Sequence, residues 1–496
     1  MPFEQVNKIT NDAIFDNNKT KPINLTKVEV FGGDEFSNNF FKKLLSPLLT
    51  SADMTMAQLI NGCNQSVSAL TYTNCFDKIT LDIQDSSSEN ESLKSIIDSK
   101  PIDLKAVFNL SQSKQKNLVI GSIHENQGNL SNLKYVNNNT FGNAELFKFQ
   151  INLTPPSTGI KTPLKNLKIQ YKAPMVDTSL KLYAEGDLLS TKNSIYQSVQ
   201  QSMTSGSIGL EKTKMGFNCG GNGVLVNFAE LNLSKRTTLQ VIDSANDEIK
   251  TFAGDHTKLG LKLGTSLNTI QYLQKSKGKI GLNGYKLEFI NEFAGLPNSN
   301  NSNLDEKFIK SEFNTKLIKS ALNNGLTLDF SFGFGILKTL NSSSLNSKAA
   351  VHYQDKFYLN IPGYSTIEPK VVSSGAAGEK TISGKIGGLG FLNYDLKLMS
   401  RLLFVDPVNP LRLYVGLKGG ELSTDGFKID DFKNTLKSKS LNSLFKNWKN
   451  GCSIGLSYQI DDVIDMDLNY KFPIVTNSNT LGNGGFGFSV SINGDY

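Results

Sequence analysis

His124, His256 and His352 are the chain's three histidines, and they lie far apart in sequence. Imidazole is the usual neutral-pH base and a common metal ligand. None of the three has neighbours spaced to complete a metal site. Gly384, Gly387, Gly388 and Gly390 resemble a phosphate-cradling loop, but no Lys-Ser/Thr closes it and a strand pattern follows. Asp461, Asp462 and Asp465 offer cation-type oxygens. They sit where a tight polar turn is expected, and Asp-rich turns need no ion. The four cysteines, at 63, 75, 219 and 452, form no C-x-x-C. Cys63 and Cys75 can pair only if their compartment oxidises them; buried free thiols are the plainer reading. The expectation is no catalytic residue, no metal and no cofactor. Whatever the chain does falls to its backbone.

That shifts attention to the elements. The last 110 or so residues read as consecutive strands of period two. Leu392, Tyr394, Leu396 and Leu398 alternate with polar neighbours, as do Leu411, Leu413, Val415 and Leu417. Ile454, Leu456, Tyr458 and Ile460 repeat the pattern, then Ile464, Met466, Leu468, Tyr470 and Phe472, then Phe486, Phe488, Val490 and Ile492. Each strand has one oily and one wet face, as a barrel with lipid outside and water inside requires. Mean hydropathy of -0.25 excludes a helical membrane bundle but not a barrel, whose strands are half polar.

The net charge of +7 rests on lysine; the only arginines are Arg236, Arg401 and Arg412. Lysines are scattered, with no basic cluster interleaved with aromatics, so nucleic acid is not the expected partner. Residues 1–20 hold Glu4, Asp12 and Asp16, with neither an apolar core nor arginine, so direction by an internal signal or a cytosolic site is expected.

Along the chain, residues 1–22 read as a flexible leader and 23–114 as a small α/β domain of order β-α-α-β-β. Phe36, Phe40, Phe41, Leu44, Leu45 and Leu48 recur at helical spacing, and Thr55-x-x-Gln58 is a capping box. Residues 115–496 read as sixteen strands, the first at 129–138, the eleventh at 353–360 and the last at 485–494. Long and short connections do not sort to opposite ends on this reading, since 295–306 after the eighth strand is long. Residues 427–448 carry apolar side chains at amphipathic-helix spacing, interrupted near Ser438, either packing on the barrel rim or docking a partner or lipid headgroups.

Four stretches resemble the core barrel subunit of the mitochondrial sorting and assembly machinery, a member of the outer-membrane barrel-assembly superfamily. Phe141-Gly142-Asn143-Ala144-Glu145 resembles its "FGGAE" turn. Asp355-Lys356-Phe357-Tyr358-Leu359 resembles "D-K/R-F-x-L". Gly388 to Phe404, including Arg401, resembles its "GG…S-R-L-P-F" stretch, and Asp467 to Ile474 its "E-L-N-F-x-x-P-L". The final strand resembles the mitochondrial β-signal through Gly487, Val490 and Ile492, with Gly485 where a polar residue is usual. The family's V/I-R-G-F/Y lumenal tip is not matched: Thr366, Ile367 and Glu368 occupy that place without an arginine.

The resemblance implies an all-β membrane protein: a sixteen-stranded antiparallel transmembrane barrel with one N-terminal polypeptide-transport-associated (POTRA) domain. It implies insertion of β-barrel precursors into the mitochondrial outer membrane, with the N-terminal domain in the intermembrane space. Implied partners are the precursors, peripheral subunits of the sorting and assembly complex, and outer-membrane lipid. A lateral gate would lie between the first and last strands, at Leu133 and Tyr135 facing Phe486 and Phe488. A passive metabolite or ion porin explains the barrel but not the N-terminal domain.

Overall fold

The computed structural model describes residues 19–49, 53–86, 101–125, 128–153, 164–175, 177–193, 199–216, 223–241, 247–272, 281–295, 307–340, 351–362, 387–402, 411–423, 448–460, 464–474 and 484–495. The chain divides into two compact units.

The first unit is built on β1 (Pro22–Phe31), α1 (Asn38–Leu44), α2 (Ser46–Leu49), β2 (Asp53–Thr55), α3 (Met56–Tyr72), β3 (Phe76–Asp85) and β4 (Ile102–Gln112). The sheet order is β2-β1-β4-β3, with β1 and β4 parallel. Leu25, Val28 and Val30 of β1 and Ala106, Phe108 and Leu110 of β4 meet Phe40, Leu44, Leu59 and Leu70 of the helices in one core. The capping box opens α3 as its residues require: Thr55 Oγ1 accepts from Gln58 N–H at 3.3 Å, and Gln58 Oε1 accepts from Thr55 N–H at 2.9 Å. Cys63 and Cys75 are buried free thiols, and burial pushes both up to about 11. They are inert rather than nucleophilic.

Residues 136–147 and 171–182 fold with this unit. Gly142, at φ +90°, places its carbonyl to accept from Ser37 N–H at 2.9 Å. That backbone conformation favours glycine. Glu145 closes the same turn, accepting from the N–H groups of Phe141 (3.2 Å) and Asn143 (3.0 Å). Thr178 donates to Ala69 O at 2.9 Å.

The other unit is the bulk of a closed antiparallel barrel. Its wall starts with β5 (Lys116–Glu125), β6 (Gly128–Asn137), β7 (Leu146–Leu153), β8 (Leu164–Pro174) and β9 (Leu180–Asn193). It continues with β10 (Val199–Met215) and β11 (Val224–Val241), then a short helix α4 (Asp247–Thr251) and β12 (Gly254–Asn268). A two-residue piece, β13 (Gln271–Tyr272), prolongs the line of β12 along β14 (Gly281–Ala294). Then come β15 (Phe308–Ala321), β16 (Leu326–Thr339), β17 (Gly390–Arg401), β18 (Arg412–Ser423), β19 (Lys449–Ile460), β20 (Ile464–Ile474) and β21 (Gly485–Asp495). With β12 and β13 as one line, the wall has sixteen strands, and β21 pairs with β5 to close it.

Alternation sorts the side chains. Leu231, Leu261, Phe289, Leu317, Leu398, Val415, Ile454, Leu468 and Phe486 are exposed outside. Inside stand ion pairs such as Lys316–Asp329 at 2.8 Å and Lys286–Glu288 at 2.6 Å. An oily belt around a charged lumen is the membrane-barrel pattern. No described helix is long and apolar enough to cross a membrane.

Two expectations about the strands are corrected. Residues 129–138 are not the first wall strand, because β5 precedes them and makes the closing pair. Residues 353–360 are not in the wall: Tyr353–Asp355 is a 3-10 turn, and Phe357 makes one isolated bridge to Gly388. The two errors cancel in the count but not in the ends. With β5 first, the connections 242–253, 295–307, 340–389, 424–448 and 475–484 all follow odd-numbered wall strands, so the longest ones share one end. The residues 427–447 of the expected amphipathic helix lie outside those described.

Thr55→Ala removes the side-chain half of the α3 cap and is expected to cost about 1 kcal/mol. Amide hydrogen exchange in the first turn of α3 should speed up roughly fivefold at that cost.

Candidate functional site: the barrel seam and a lumenal clasp

Two places carry the features a working barrel needs. The first is the seam. β21 pairs with β20 from Gly485, but with β5 only from Phe488↔His124 to Asp495↔Asn117. Gly485, Phe486 and Gly487 thus begin β21 ahead of its described pairing with β5. Phe486 is 71% exposed on the outer face and packs 4.8 Å from Tyr470. Gly487 faces inward, where a Cβ would stand 2.6 Å from Asn469 Oδ1. The seam lies on the low side of the wall: β5 has 10 residues and β21 has 11, like their neighbours β6 with 10 and β20 with 11, whereas β10 and β11 have 17 and 18.

The gate residues divide. Phe486 and Phe488 lie on the closing strand, as do Gly485, Gly487, Val490 and Ile492. Leu133 and Tyr135 do not reach it; they lie on β6, the second wall strand. Asn132 donates to Asn152 Oδ1 at 2.6 Å across β6 and β7. The β5 positions opposite the last strand are Ile120 (to Ile492), Ser122 (to Val490) and His124 (to Phe488).

The second place is inside the second unit. Residues 351–362, from the connection between β16 and β17, pack against inward-facing wall residues. Val351, Phe357, Leu359 and Ile361 are buried with Ala294, Phe308, Leu337, Leu389, Phe391 and Leu422. Phe357 meets Phe391 at 4.8 Å, and Lys310 Nζ sits 4.5 Å over its ring. Gly451 on β19 leaves room for the Pro362 carbonyl, which a Cβ would overlap at 2.0 Å. Tyr353, Asp355, Phe357, Leu359 and Ile361 are all buried. From Phe357 to Ile361 the buried residues alternate with exposed Tyr358 and Asn360, and that stretch has the period two that reads as a wall strand.

Asp355 fixes this segment. Its Oδ2 accepts from Arg236 Nη1 at 2.6 Å and its Oδ1 from Arg236 Nη2 at 2.8 Å. Lys258 Nζ donates to the same Oδ1 at 2.6 Å and to Glu292 Oε1 at 2.6 Å. Arg236 stands on β11, Lys258 on β12 and Glu292 on β14. Burial alone would raise the Asp355 pKa. The charges of Arg236 and Lys258 outweigh that and hold the carboxyl well below its usual range. Beside the clasp lies a cavity of about 460 Å³, lined by Arg236, Lys258, Lys262, Glu230, Gln354 and Tyr358 among others. His352 starts the 3-10 turn, its Nδ1 accepting from Gln354 N–H at 3.2 Å, and stacks on Tyr353 at 4.3 Å. It is fully buried; desolvation, with the nearby Arg236 charge, lowers its pKa to about 3.

Of the motif residues, Gly142 shapes the turn against Ser37, Asp355 forms the clasp, and Phe357 and Gly388 exchange backbone hydrogen bonds at 2.9 Å each way. Arg401 lies opposite Arg412 on β18. Thr366, Ile367 and Glu368 lie outside the described residues. Arg236 and Lys258 were not anticipated. The available signal was rarity: in a chain whose cations are nearly all lysine, a lone arginine marks a place that needs a two-pronged donor.

The fold is that of a sixteen-stranded membrane β-barrel with an N-terminal α/β domain. Among solved structures it is similar to BamA from Haemophilus ducreyi lacking POTRA domains 1–3, with a TM-score of 0.63 at 12% identity, covering 95% of this chain and 85% of that one. It is also similar to CdiB from Acinetobacter baumannii (TM-score 0.56, 12% identity, 96% and 74% covered) and CdiB from Escherichia coli (0.58, 11%, 95% and 76%). No family model matches the sequence, and no curated protein matches it. At this identity the likeness is one of fold.

Asp355→Asn leaves two buried cations without their shared carboxylate and is expected to cost about 3–5 kcal/mol of loop docking, read as lost protection of amides 351–362 in hydrogen exchange. Acid acts through His352 first. Its folded pKa of about 3 lies below the free value of about 6.5, so the docked segment is favoured above 6.5 and loses stability as pH falls from 6.5 toward 3. Asp355 stays ionised through that window. His352→Phe should flatten the decline in thermal midpoint between pH 6.5 and 4.

Proposed function

We propose that this chain inserts and assembles β-barrel precursors in an outer membrane, through a lateral opening between β5 and β21. One observation carries the reading: the first and last wall strands, β5 and β21, close the barrel with no connecting chain between them, so parting them bares the edge of β21, which begins Gly485-Phe486-Gly487. Unpaired N–H and C=O groups are costly in lipid. An incoming strand that hydrogen-bonds to that edge removes the cost, which is strand addition of the ordinary kind. Glycines there supply no side-chain packing to hold the seam shut. The work needs neither a cofactor nor bond-making chemistry.

The motif resemblance supports a mitochondrial outer membrane, with the β1–β4 domain as a POTRA domain in the intermembrane space. The precursors and peripheral assembly subunits are then its partners. The BamA structure it resembles is described as lacking POTRA domains 1–3, and we read the β1–β4 domain here, whose order is β-α-α-β-α-β-β rather than the expected β-α-α-β-β, in the role of a further such domain. A passive porin is less well supported, because a buried, ion-paired segment occupies the lumen.

Cysteines at Ser122 and Val490, which face each other across the seam, should crosslink in the resting protein. Cysteines at Leu133 and Phe488 should not. The locked barrel should stay folded and fail to assemble precursor barrels in a membrane assay, and reduction should restore assembly. Normal assembly by the locked protein sinks the lateral-opening mechanism.

A further inference from the structure

Arg236 and Lys258 are both buried, and together they converge on one carboxylate. The arginine fork engages both oxygens and the ammonium adds a third hydrogen bond. A guanidinium matches a planar two-oxygen anion in a way a lysine cannot. The carboxylate arrives on a loop segment, whereas the cations belong to the wall strands β11 and β12. Glu292 also pairs with Lys258. When the segment leaves, the wall keeps two buried cations that have lost their common anion, and such charges are costly unless an anion replaces it. The cavity of about 460 Å³ opens onto these same two residues and has polar walls, including Gln201, Asn232 and Gln354. It provides room for a replacement beside the cations.

We infer that Arg236 and Lys258 form a carboxylate-binding site of the barrel wall, and that Asp355 occupies it as an internal ligand. The ligand class is an aliphatic carboxylate, free or on the aspartate or glutamate of another polypeptide in the lumen. The inference goes beyond the proposed function and stands whether or not the seam opens.

Chemical rescue tests it on the full-length protein in detergent. Asp355→Gly removes the internal carboxylate and leaves its space empty. Its thermal midpoint should fall, then rise saturably with sodium acetate. Sodium chloride at equal ionic strength should have no such effect. A blocked aspartate (N-acetyl-aspartate amide) is the second probe. A response to both probes supports a site open to polypeptide side chains; a response to acetate alone supports a site for small free acids. The double variant Asp355→Gly, Arg236→Gln should respond to neither. If Asp355→Gly does not fold unaided, refolding yield in acetate against chloride is the readout, and a higher yield in acetate supports the site. The inference is overturned if acetate and chloride act alike, if the double variant responds as the single one does, or if Asp355→Gly has the wild-type midpoint.

Discussion

A sheet in lipid must leave no edge, and that constraint organises this molecule. Each backbone group in the hydrocarbon needs a partner within the wall, so the strands close on themselves or fail. Fifteen junctions between sequence neighbours come with connected chain, but the last, β21 to β5, joins the two ends of the wall through hydrogen bonds alone. It is also one of the shorter ones. A wall whose single unconnected junction rests on a short run of paired residues satisfies the constraint narrowly. That narrowness is a source of function as well as of weakness.

The lumen meets a different constraint. A ring of sixteen strands is too wide for its own side chains to fill, so charged residues face water there. Where the segment 351–362 enters, the solution changes from solvation to packing. Apolar residues cover Phe391, Leu337 and Leu422, and buried charges are paired in the Arg236–Asp355–Lys258–Glu292 chain. The charges alternate in sign along that chain, so each buried ion has a counter-ion at hydrogen-bond distance. Truncating any member strands its neighbours, which makes the clasp a cooperative unit.

The C-terminal strands were legible because both sides of their wall are simple: lipid outside, water inside. Leu392 to Leu398 and Ile454 to Tyr458 keep strict alternation for that reason. β5 was not legible. Its positions Leu118, Ile120 and Ser122 share one face, and Val119 and Gly121 the other, so the oily and wet residues do not sort cleanly between faces. Residues 353–360 misled in the opposite way, since Phe357, Leu359 and Ile361, buried in alternation with exposed Tyr358 and Asn360, write the same period as a membrane strand. The glycine cluster is real, but Gly387, at φ +72°, lets the chain turn beside Phe357 rather than cradle a phosphate. The clasp was legible only in half: Asp355 lay in a recognisable motif, while its wall partners follow from topology, which brings Arg236, 119 positions away, to its side.

The uneven height of the wall bears on the surrounding bilayer. At about 3.4 Å per residue and a tilt near 40°, the 18 residues of β11 rise roughly 45 Å, whereas the 11 of β21 rise roughly 30 Å and the eight of β7 roughly 20 Å. A hydrocarbon layer of about 30 Å is exceeded on the first side and barely spanned on the second. Lipids along the low side, which runs from β20 through the seam to β8, must compress or splay, and the elastic cost is concentrated there. The protein thus carries its own local defect in the membrane, fixed in position by strand length.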